Sequence, residues 1–197
     1  TVLHEDAIFP VRLMGIPINI RNTNKPEDPG TMIVATAEGA GKNVITGIAG
    51  KPGFSSITIE KDMMNSEVGF TRKVLSVLEG EGISFEHMPS GIDTLSIILA
   101  TPVLEGKKER ILRAVCDAVS PDSVFVEDSI ALIAVVGRGM RSTKGTAART
   151  LDAVAGAGIN LVMIDQGSSE LNIILGVKEA ELQKTIAAIY NEFGNRK

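Results

Sequence analysis

Two neighbouring sets of groups have the chemistry to bind a ligand that carries both a carboxylate and an ammonium group. The run 64–68 leads into a predicted helix whose first turn holds residues 69–71. N–H groups in a first helical turn have no intrahelical acceptor and suit a carboxylate, and Gly69 permits a close approach. Glu86 and Asp93 follow, and carboxylates form charge-assisted hydrogen bonds with ammonium groups. The pattern favours an amino-acid ligand, although these two acids could also be solvated strand and turn charges.

Two glycine-rich runs imitate nucleotide-binding motifs without completing them. In the run 39–43, Thr36 stands where a phosphate loop needs its leading glycine, and Asn43 stands where it needs a metal-binding hydroxyl. In the run 137–139, Ser142 replaces the third glycine of a dinucleotide motif, and the parallel β-α-β context is missing. We therefore interpret residues 39–43 as a flexible linker and residues 137–139 as a turn.

Groups for metal or nucleophilic chemistry are scarce. Cys116 is the only cysteine, which excludes an intramolecular disulfide or a cysteine-cluster metal site and fits a reducing cytosol. His4 and His87 are the only histidines and are far apart, so a zinc site or a catalytic triad has little support. We expect no catalytic residue and no metal, and we expect His87 to lie in a strand near a ligand or dimer surface. A free-standing small-molecule enzyme is therefore disfavoured.

Composition and charge restrict the classes of partner that the chain can bind. The 197 residues carry a net charge of -4 without long like-charge runs, so no basic stripe is available for nucleic acid or an anionic membrane. The longest apolar stretch, residues 130–136, is too short to cross a bilayer, and residues 1–10 do not resemble a signal peptide. We expect a cytoplasmic protein, and the missing initiator Met suggests a piece of a longer chain.

An internal repeat organises the chain. Ile57 matches Ile133 at an offset of 76 residues (133 − 57 = 76), and the same offset continues without a gap. Further pairs at this offset are Met64 and Met140, Gly69 and Gly145, Leu75 and Leu151, Gly80 and Gly156, Ile83 and Ile159, and Leu99 and Leu175. A register held over so many positions indicates two copies of one structural unit.

Each copy has the same order of predicted elements. A short strand precedes a helix that ends at two glycines, and two further strands around a turn precede a second helix. The predicted strands are 56–60, 84–88, 95–100 and 123–127 in the first copy, and 130–136, 160–164 and 171–176 in the second. The second copy is therefore one strand short of a ferredoxin-like βαββαβ unit.

The missing strand is predicted upstream of the first copy. Residues 44–49 are the only uncommitted strand-like run, and an unpaired sheet edge is a liability that such a run would cover. We therefore predict an α+β fold of two ferredoxin-like modules, with module 1 (54–128) inserted into module 2 (44–49 plus 129–197). The chain would cross between them at Asp128 and Ser129.

Strands of the second copy are apolar on both faces. Val162 and Ile164 alternate with other apolar residues, and Ile174 lies between two more. The second apolar face could belong to a well-filled core, or it could bind another module or subunit. We favour a dimer.

Several strings resemble the end of the aspartokinase catalytic domain and the tandem ACT domains that follow it. They are residues 2–10, 15–18, 21–24, 28–31, 137–140 and 166–170. The resemblance implies that residues 1–40 are the tail of the amino-acid kinase domain with a linker, and that both modules are ACT domains. It also implies a parent enzyme that phosphorylates the aspartate side chain with ATP and Mg²⁺, on the route to lysine, threonine and methionine. The family's amino-terminal nucleotide segment is not in this chain, so we expect the chain alone to be non-catalytic and to hold no cofactor.

The resemblance also implies positions for effector and interface residues. The effector contacts carried over are Met64, Gly69, Phe70, Thr71, Phe85, Glu86, Ser90, Gly91, Ile92 and Asp93. Gln166, Ser168 and Ser169 are expected to face the neighbouring module and hold the pair together.

The charges of two side chains in module 1 indicate which amino acid is the effector. Glu86 and Asp93 could read two ammonium groups, whereas the same offset places Val162 and Ser169 in the second copy. This favours lysine bound in module 1 between two subunits, where it would bias the attached kinase catalytic domain towards an inactive state. Regulation by threonine, alone or with lysine, and a purely structural dimerisation module stay open as alternatives.

Overall fold

The structure is a computed structural model that describes residues 4–35, 43–169 and 171–194. The chain divides into two compact units, Thr1–Lys42 and Asn43–Lys197. Apart from Asn43, the linker predicted at residues 39–43 lies outside the described residues, as does Glu170 of the predicted 166–170 turn.

The first unit consists of one helix and a small hairpin. Helix α1 (Glu5–Leu13) is followed by strands β1 (Ile18–Ile20) and β2 (Thr31–Ile33), which pair antiparallel. The Arg21 guanidinium closes the connection between these strands by donating to the carbonyl oxygens of Pro26 and Asp28. This unit carries none of the predicted effector or interface residues.

The second unit is a five-stranded antiparallel sheet with helices. Its strands are β3 (Gly47–Glu60), β4 (Thr94–Ala100), β5 (Ser123–Val136), β6 (Met163–Asp165) and β7 (Asn172–Lys178), in the spatial order β4-β3-β5-β7-β6. Its helices are α2 (Phe70–Gly80), α3 (Lys108–Val119), α4 (Thr146–Gly156) and α5 (Leu182–Gly194). No helix in the described ranges is long and apolar enough to cross a membrane.

Two long strands, β3 and β5, run through both repeats. The first half of β3, residues 47–51, pairs with residues 132–136 of β5, and its second half pairs with residues 123–127. Register shifts between Lys51 and Ser56 separate the two halves. Residues 47–51 thus supply the strand that the second copy lacks, although their order in the chain precedes the first copy.

The break between the two halves has defined local causes. Gly53 has φ +91° and Ser129 has φ +61°, so both strands depart from regular extended backbone there. Asp128, beside Ser129, accepts hydrogen bonds from Ser55 Oγ (2.7 Å) and Lys108 Nζ (2.9 Å). These bonds, chiefly that from Ser55, hold the pKa of the Asp128 carboxyl below its usual range.

Three apolar clusters hold the second unit together. The first lies under α2 and α3 and the second under α4 and α5, and each is lined by one face of the sheet. The third joins the opposite faces of the two halves and contains Phe54, Ile98, Ile130, Leu132, Met163 and Ile174. The second apolar face noticed around Ile174 is therefore packed between the two repeats.

The α+β fold of two ferredoxin-like modules is confirmed, with corrections to individual strands. Residues 84–88 do not form a regular strand, because only His87 pairs there, with Ile98. The strand predicted at 160–164 is shortened and shifted to Met163–Asp165. The separate strands predicted at 123–127 and 130–136 are one continuous strand. The module boundaries stay predictions, and we keep the names module 1 and module 2 for the two halves.

Candidate functional site

The 61–69 loop of module 1 joins β3 to α2. Its turn is closed by hydrogen bonds from Met64 N–H to the Lys61 carbonyl oxygen (3.1 Å) and from Glu67 N–H to the Met64 carbonyl oxygen (3.1 Å). Met64 is buried in the module 1 core. Gly69 ends the loop at φ +81°, a conformation that suits glycine, and no side chain caps the helix that follows.

The start of α2 leaves donors available for a ligand. The intrahelical ladder begins where Lys73 N–H donates to the Gly69 carbonyl oxygen (3.0 Å). The N–H groups of Thr71 and Arg72 lie before that bond and have no helical acceptor. Phe70 is buried in the core, so its side chain anchors this turn, whereas Thr71 is half-buried. Backbone donors at Thr71 and Arg72 are therefore the groups that suit a carboxylate.

A charged cluster holds the 61–69 loop. The Glu67 carboxylate accepts hydrogen bonds from Lys61 Nζ and Lys73 Nζ, each at 2.6 Å. Lys61 Nζ also donates to the Val119 carbonyl oxygen (2.6 Å) and lies 5.6 Å from the centre of the Phe70 ring. The hydrogen bond from Lys61, followed by that from Lys73, lowers the pKa of Glu67. The Glu67 carboxylate thus joins the start of the loop, at Lys61, to helix α2, at Lys73.

Asp93 connects the turn after residue 88 to the same loop. Its Oδ1 accepts the N–H of Met63 (2.9 Å), and its backbone carbonyl oxygen accepts the N–H of Lys61 (2.9 Å). Met63 has φ +59°, which is unfavourable for a residue with a side chain, and the bond from Asp93 stabilises it. The Ile92 carbonyl oxygen accepts the N–H of Asn65 (3.1 Å). Asp93 therefore holds the loop in place, in addition to any role towards a ligand.

The other predicted contacts lie on this turn and the segment before it. Glu86 is exposed, and its N–H donates to the Ile98 carbonyl oxygen (2.8 Å). Ser90 pairs with Leu95, and Gly91 N–H donates to the Thr94 carbonyl oxygen (2.7 Å). Ile92 is 67% exposed. The backbone thus brings the turn against the 61–69 loop and leaves the Glu86 carboxylate at the surface.

A groove of about 800 Å³ lies between α2 and the segment 82–85. Its floor is apolar, with Leu75, Leu78, Ile83 and Phe85, and Arg72 is among the charged residues beside it. Phe85 is 41% exposed and is the only predicted effector contact in the groove lining. An exposed apolar groove of this kind suits a partner surface or the carbon chain of a ligand.

The loop, the turn and the two-module sheet can now be compared with known proteins. A family model described as an ACT domain matches residues 133–193. Aspartokinase 3 of Bacillus subtilis (strain 168) is 43% identical over 194 residues, covering 98% of this chain and 42% of that protein. The crystal structure of Clostridium acetobutylicum aspartate kinase, described as an allosteric enzyme, superposes with a TM-score of 0.90 at 51% identity, over 98% of this chain and 45% of that one. This chain matches the ACT-containing regulatory region of aspartokinases.

The match extends over only part of each relative. The chain spans less than half the length of the relatives named above, as it does of Escherichia coli aspartokinase III. That protein, in a structure with lysine and aspartate called the T-state, superposes with a TM-score of 0.72 over 98% of this chain and 42% of its own. At 20% identity it shows a shared fold and nothing finer. The ACT domain match and the Bacillus subtilis and Clostridium acetobutylicum relatives confirm the resemblance to the aspartokinase regulatory region.

The contact between the two modules differs from the predicted one in its residue. Gln166, Ser168 and Ser169 are exposed, and their facing the other module stays a prediction. Asp165, just before them, does reach module 1, where its Oδ2 lies 3.3 Å from His87 Nδ1. His87 is thus near the surface where the two modules meet.

Sequence reasoning missed four residues of the site. Lys61, Glu67 and Lys73 were not singled out, although two lysines flank a glutamate around a helix start. That spacing predicts proximity only once the loop is known to fold back. Asp165 was missed because its partner His87 is 78 residues away in the sequence and lies in the other module, so no local pattern indicates the contact.

Proposed function

We propose that this chain is the amino-acid-sensing region of an aspartate kinase and that it binds lysine in module 1. The effector carboxylate contacts the backbone N–H groups at the start of α2, and Glu86 contacts an ammonium group. The parent enzyme transfers a phosphoryl group from ATP, with Mg²⁺, to the side-chain carboxylate of aspartate. The kinase catalytic domain of the same polypeptide is the partner that responds.

One observation carries this proposal. The turn 89–93 is fastened to the 61–69 loop through Asp93 and Ile92, so acceptors on the turn and donors at the helix start share one end of module 1. An amino acid presents an anion and a cation close together, and such a site is complementary to both. The Escherichia coli relative, which has this fold, binds lysine in its T-state structure.

The hydrogen bond at Asp93 limits what this residue can offer to the lysine ammonium groups. One carboxylate oxygen is occupied by Met63 N–H, so Asp93 offers an ammonium group its other oxygen and its negative charge. Glu86 is exposed and is the better candidate for a direct contact. The proposed contacts remain Met64, Gly69, Phe70, Thr71, Phe85, Glu86, Ser90, Gly91, Ile92 and Asp93. Met64 and Phe70 position the loop and the helix start, because both side chains are buried in the core and both N–H groups donate within the loop.

A second candidate function is that of a dimerisation module. The exposed apolar groove beside α2 favours it, because a second subunit would cover Leu75, Ile83 and Phe85. The two functions are compatible if the effector binds between the module 1 copies of two subunits. Threonine, alone or with lysine, is the alternative effector.

Thermal unfolding with lysine, threonine and methionine tests the proposal. A ligand that binds only the folded chain stabilises it by RT ln(1 + [L]/Kd), about 2.7 kcal/mol at one hundred times Kd. We expect a concentration-dependent rise in Tm with lysine and light scattering that reports a dimer. A rise with threonine alone would reassign the effector. A dimer that responds to none of the three amino acids would contradict sensing and leave the dimerisation module.

A further inference from the structure

Residues 43–46, which we call the entry segment, lie directly against a turn of module 2. The entry segment leads into β3, and Thr46 N–H donates to the Val136 carbonyl oxygen (2.7 Å). Val44 and Ile45 are half-buried against the module 2 core. The turn Arg138–Ser142 follows β5 on the other side of this contact.

Gly137 and Gly139 make that contact possible. A Cβ at Gly137 would overlap the Val44 carbonyl oxygen and lie 2.6 Å from Ile45 Cα, and one at Gly139 would lie 2.5 Å from the Asn43 carbonyl oxygen. These neighbours are backbone atoms, so no side-chain rotation relieves the overlap. Gly137 has φ 179°, an extended conformation open to any residue, so close approach is the reason for glycine there.

The same two strands reach the proposed effector loop at their opposite ends. β3 begins after the entry segment and ends at Glu60, next to the 61–69 loop. β5 begins at Ser123, whose Oγ donates to Glu60 Oε2 (2.6 Å), and it ends beside Gly137. The residue before β5, Asp122, accepts the N–H of Asp62 in the loop through Oδ2 (2.7 Å). One β3–β5 ribbon therefore connects the loop with the entry segment.

We propose that the β3–β5 ribbon couples effector binding at the 61–69 loop to the entry segment, with Gly137 and Gly139 as positioning residues that hold that segment on the ribbon. The coupling rests on the proposed function, since the loop is the part that would contact the effector. The register shifts between Lys51 and Ser56 supply an irregular middle at which the two halves of the ribbon can change their angle. Without the glycines the entry segment is pushed off module 2, and the coupling ends.

Hydrogen exchange on the native chain, Gly139→Ala and Gly156→Ala tests the coupling. Gly156 is a matched control in module 2, because a Cβ there meets nothing within 4 Å. Without effector, we expect the Thr46 amide to exchange about tenfold faster in Gly139→Ala. Residues 57–60 of the same strand should keep their native rate, and Gly156→Ala should match the native chain throughout. Native exchange at residues 43–48 in Gly139→Ala would overturn the positioning role.

A second arm adds lysine. We expect slower exchange at residues 61–71 and at 43–48 in the native chain, and at 61–71 alone in Gly139→Ala. Protection of 61–71 without any change at 43–48 in the native chain would overturn the coupling. Absence of any protection at 61–71 would contradict the proposed function and with it the coupling, while the effector-free comparison separately judges the positioning role of Gly139.

Discussion

The 61–69 loop of module 1 and its counterpart at residues 137–145 share two structural features and have different surroundings. Both bury a methionine, Met64 or Met140, and both start a helix at a glycine, Gly69 at φ +81° or Gly145 at φ +82°. The first loop is held by charged side chains, whereas the second is held by the backbone of the entry segment against two glycines. The two copies thus share the buried methionine and the helix start, but the loop that follows the first strand makes different contacts in each.

This difference indicates which loop can rearrange when a ligand binds. A loop held by exposed or half-buried ion pairs can rearrange at small cost, because such pairs contribute little net stability. A loop held by backbone packing against backbone cannot accept even a methyl group. This difference supports the proposal that module 1 senses the ligand and that module 2 holds the entering chain.

Substitutions at the corresponding residues Met63 and Gly139 should show the largest difference in stability between the two loops (63 + 76 = 139). Gly139→Met should lower the free energy of unfolding by about 1–3 kcal/mol, because the side chain overpacks a site filled by backbone. Met63→Gly should change it by about 1 kcal/mol or less, because it relieves the positive φ at that position. Urea unfolding measures both. Equal losses for the two variants would show that the loops are held alike.

Two substitutions at Asp93 separate its holding role from its charge. Asp93→Ala should cost about 0.5–1.5 kcal/mol, because it removes the exposed hydrogen bond that Met63 N–H donates to the Asp93 carboxylate. Asp93→Asn keeps an acceptor oxygen and should retain most of that stability while weakening lysine binding. Urea unfolding and calorimetry on both variants measure the two effects. Lysine affinity unchanged in Asp93→Asn would remove the charge of Asp93 from the site.

The pH dependence of stability tests the ion pairs around Glu67. Because Lys61 and Lys73 lower the pKa of Glu67 in the folded chain, its contribution is complete above the ordinary value of 4.5. It is lost as pH falls through the folded pKa. The stability difference between the native chain and Glu67→Gln should therefore be largest near neutral pH and shrink below pH 4.5. A difference that is constant with pH would argue against these pairs.

The contact between His87 and Asp165 should have the smallest effect. At 3.3 Å and partly exposed, the pair should contribute about 0.2–1 kcal/mol in a double-mutant cycle of His87→Ala with Asp165→Asn.

Gln166→Ala tests the predicted interface role of the neighbouring turn. Unchanged oligomerisation and unchanged ligand response in Gln166→Ala would remove that role from Gln166.

The sequence predicted the repeat, the order of elements and an upstream strand for the second copy, because the 76-residue offset and the missing sixth element both constrain the fold. It placed that strand at residues 44–49, whereas residues 47–51 are the ones that pair with β5. It did not predict that residues 123–136 form one strand, since Ser129 at positive φ continues the sheet where a crossing was expected. It also did not reveal that Asp93 binds Met63 N–H, because that contact depends on the conformation of the loop. Long-range geometry of this kind leaves no periodic signal.

Isothermal calorimetry of lysine binding is the most direct test of the central claim that module 1 is the sensor. The native chain is compared with Glu86→Ala in module 1 and with Ser169→Ala, at the module 2 counterpart of Asp93. We predict saturable lysine binding that Glu86→Ala weakens at least tenfold and Ser169→Ala leaves unchanged. Lysine binding that survives Glu86→Ala but fails in Ser169→Ala would contradict the proposal that module 1 is the sensor. No lysine binding by the native chain would contradict it as well.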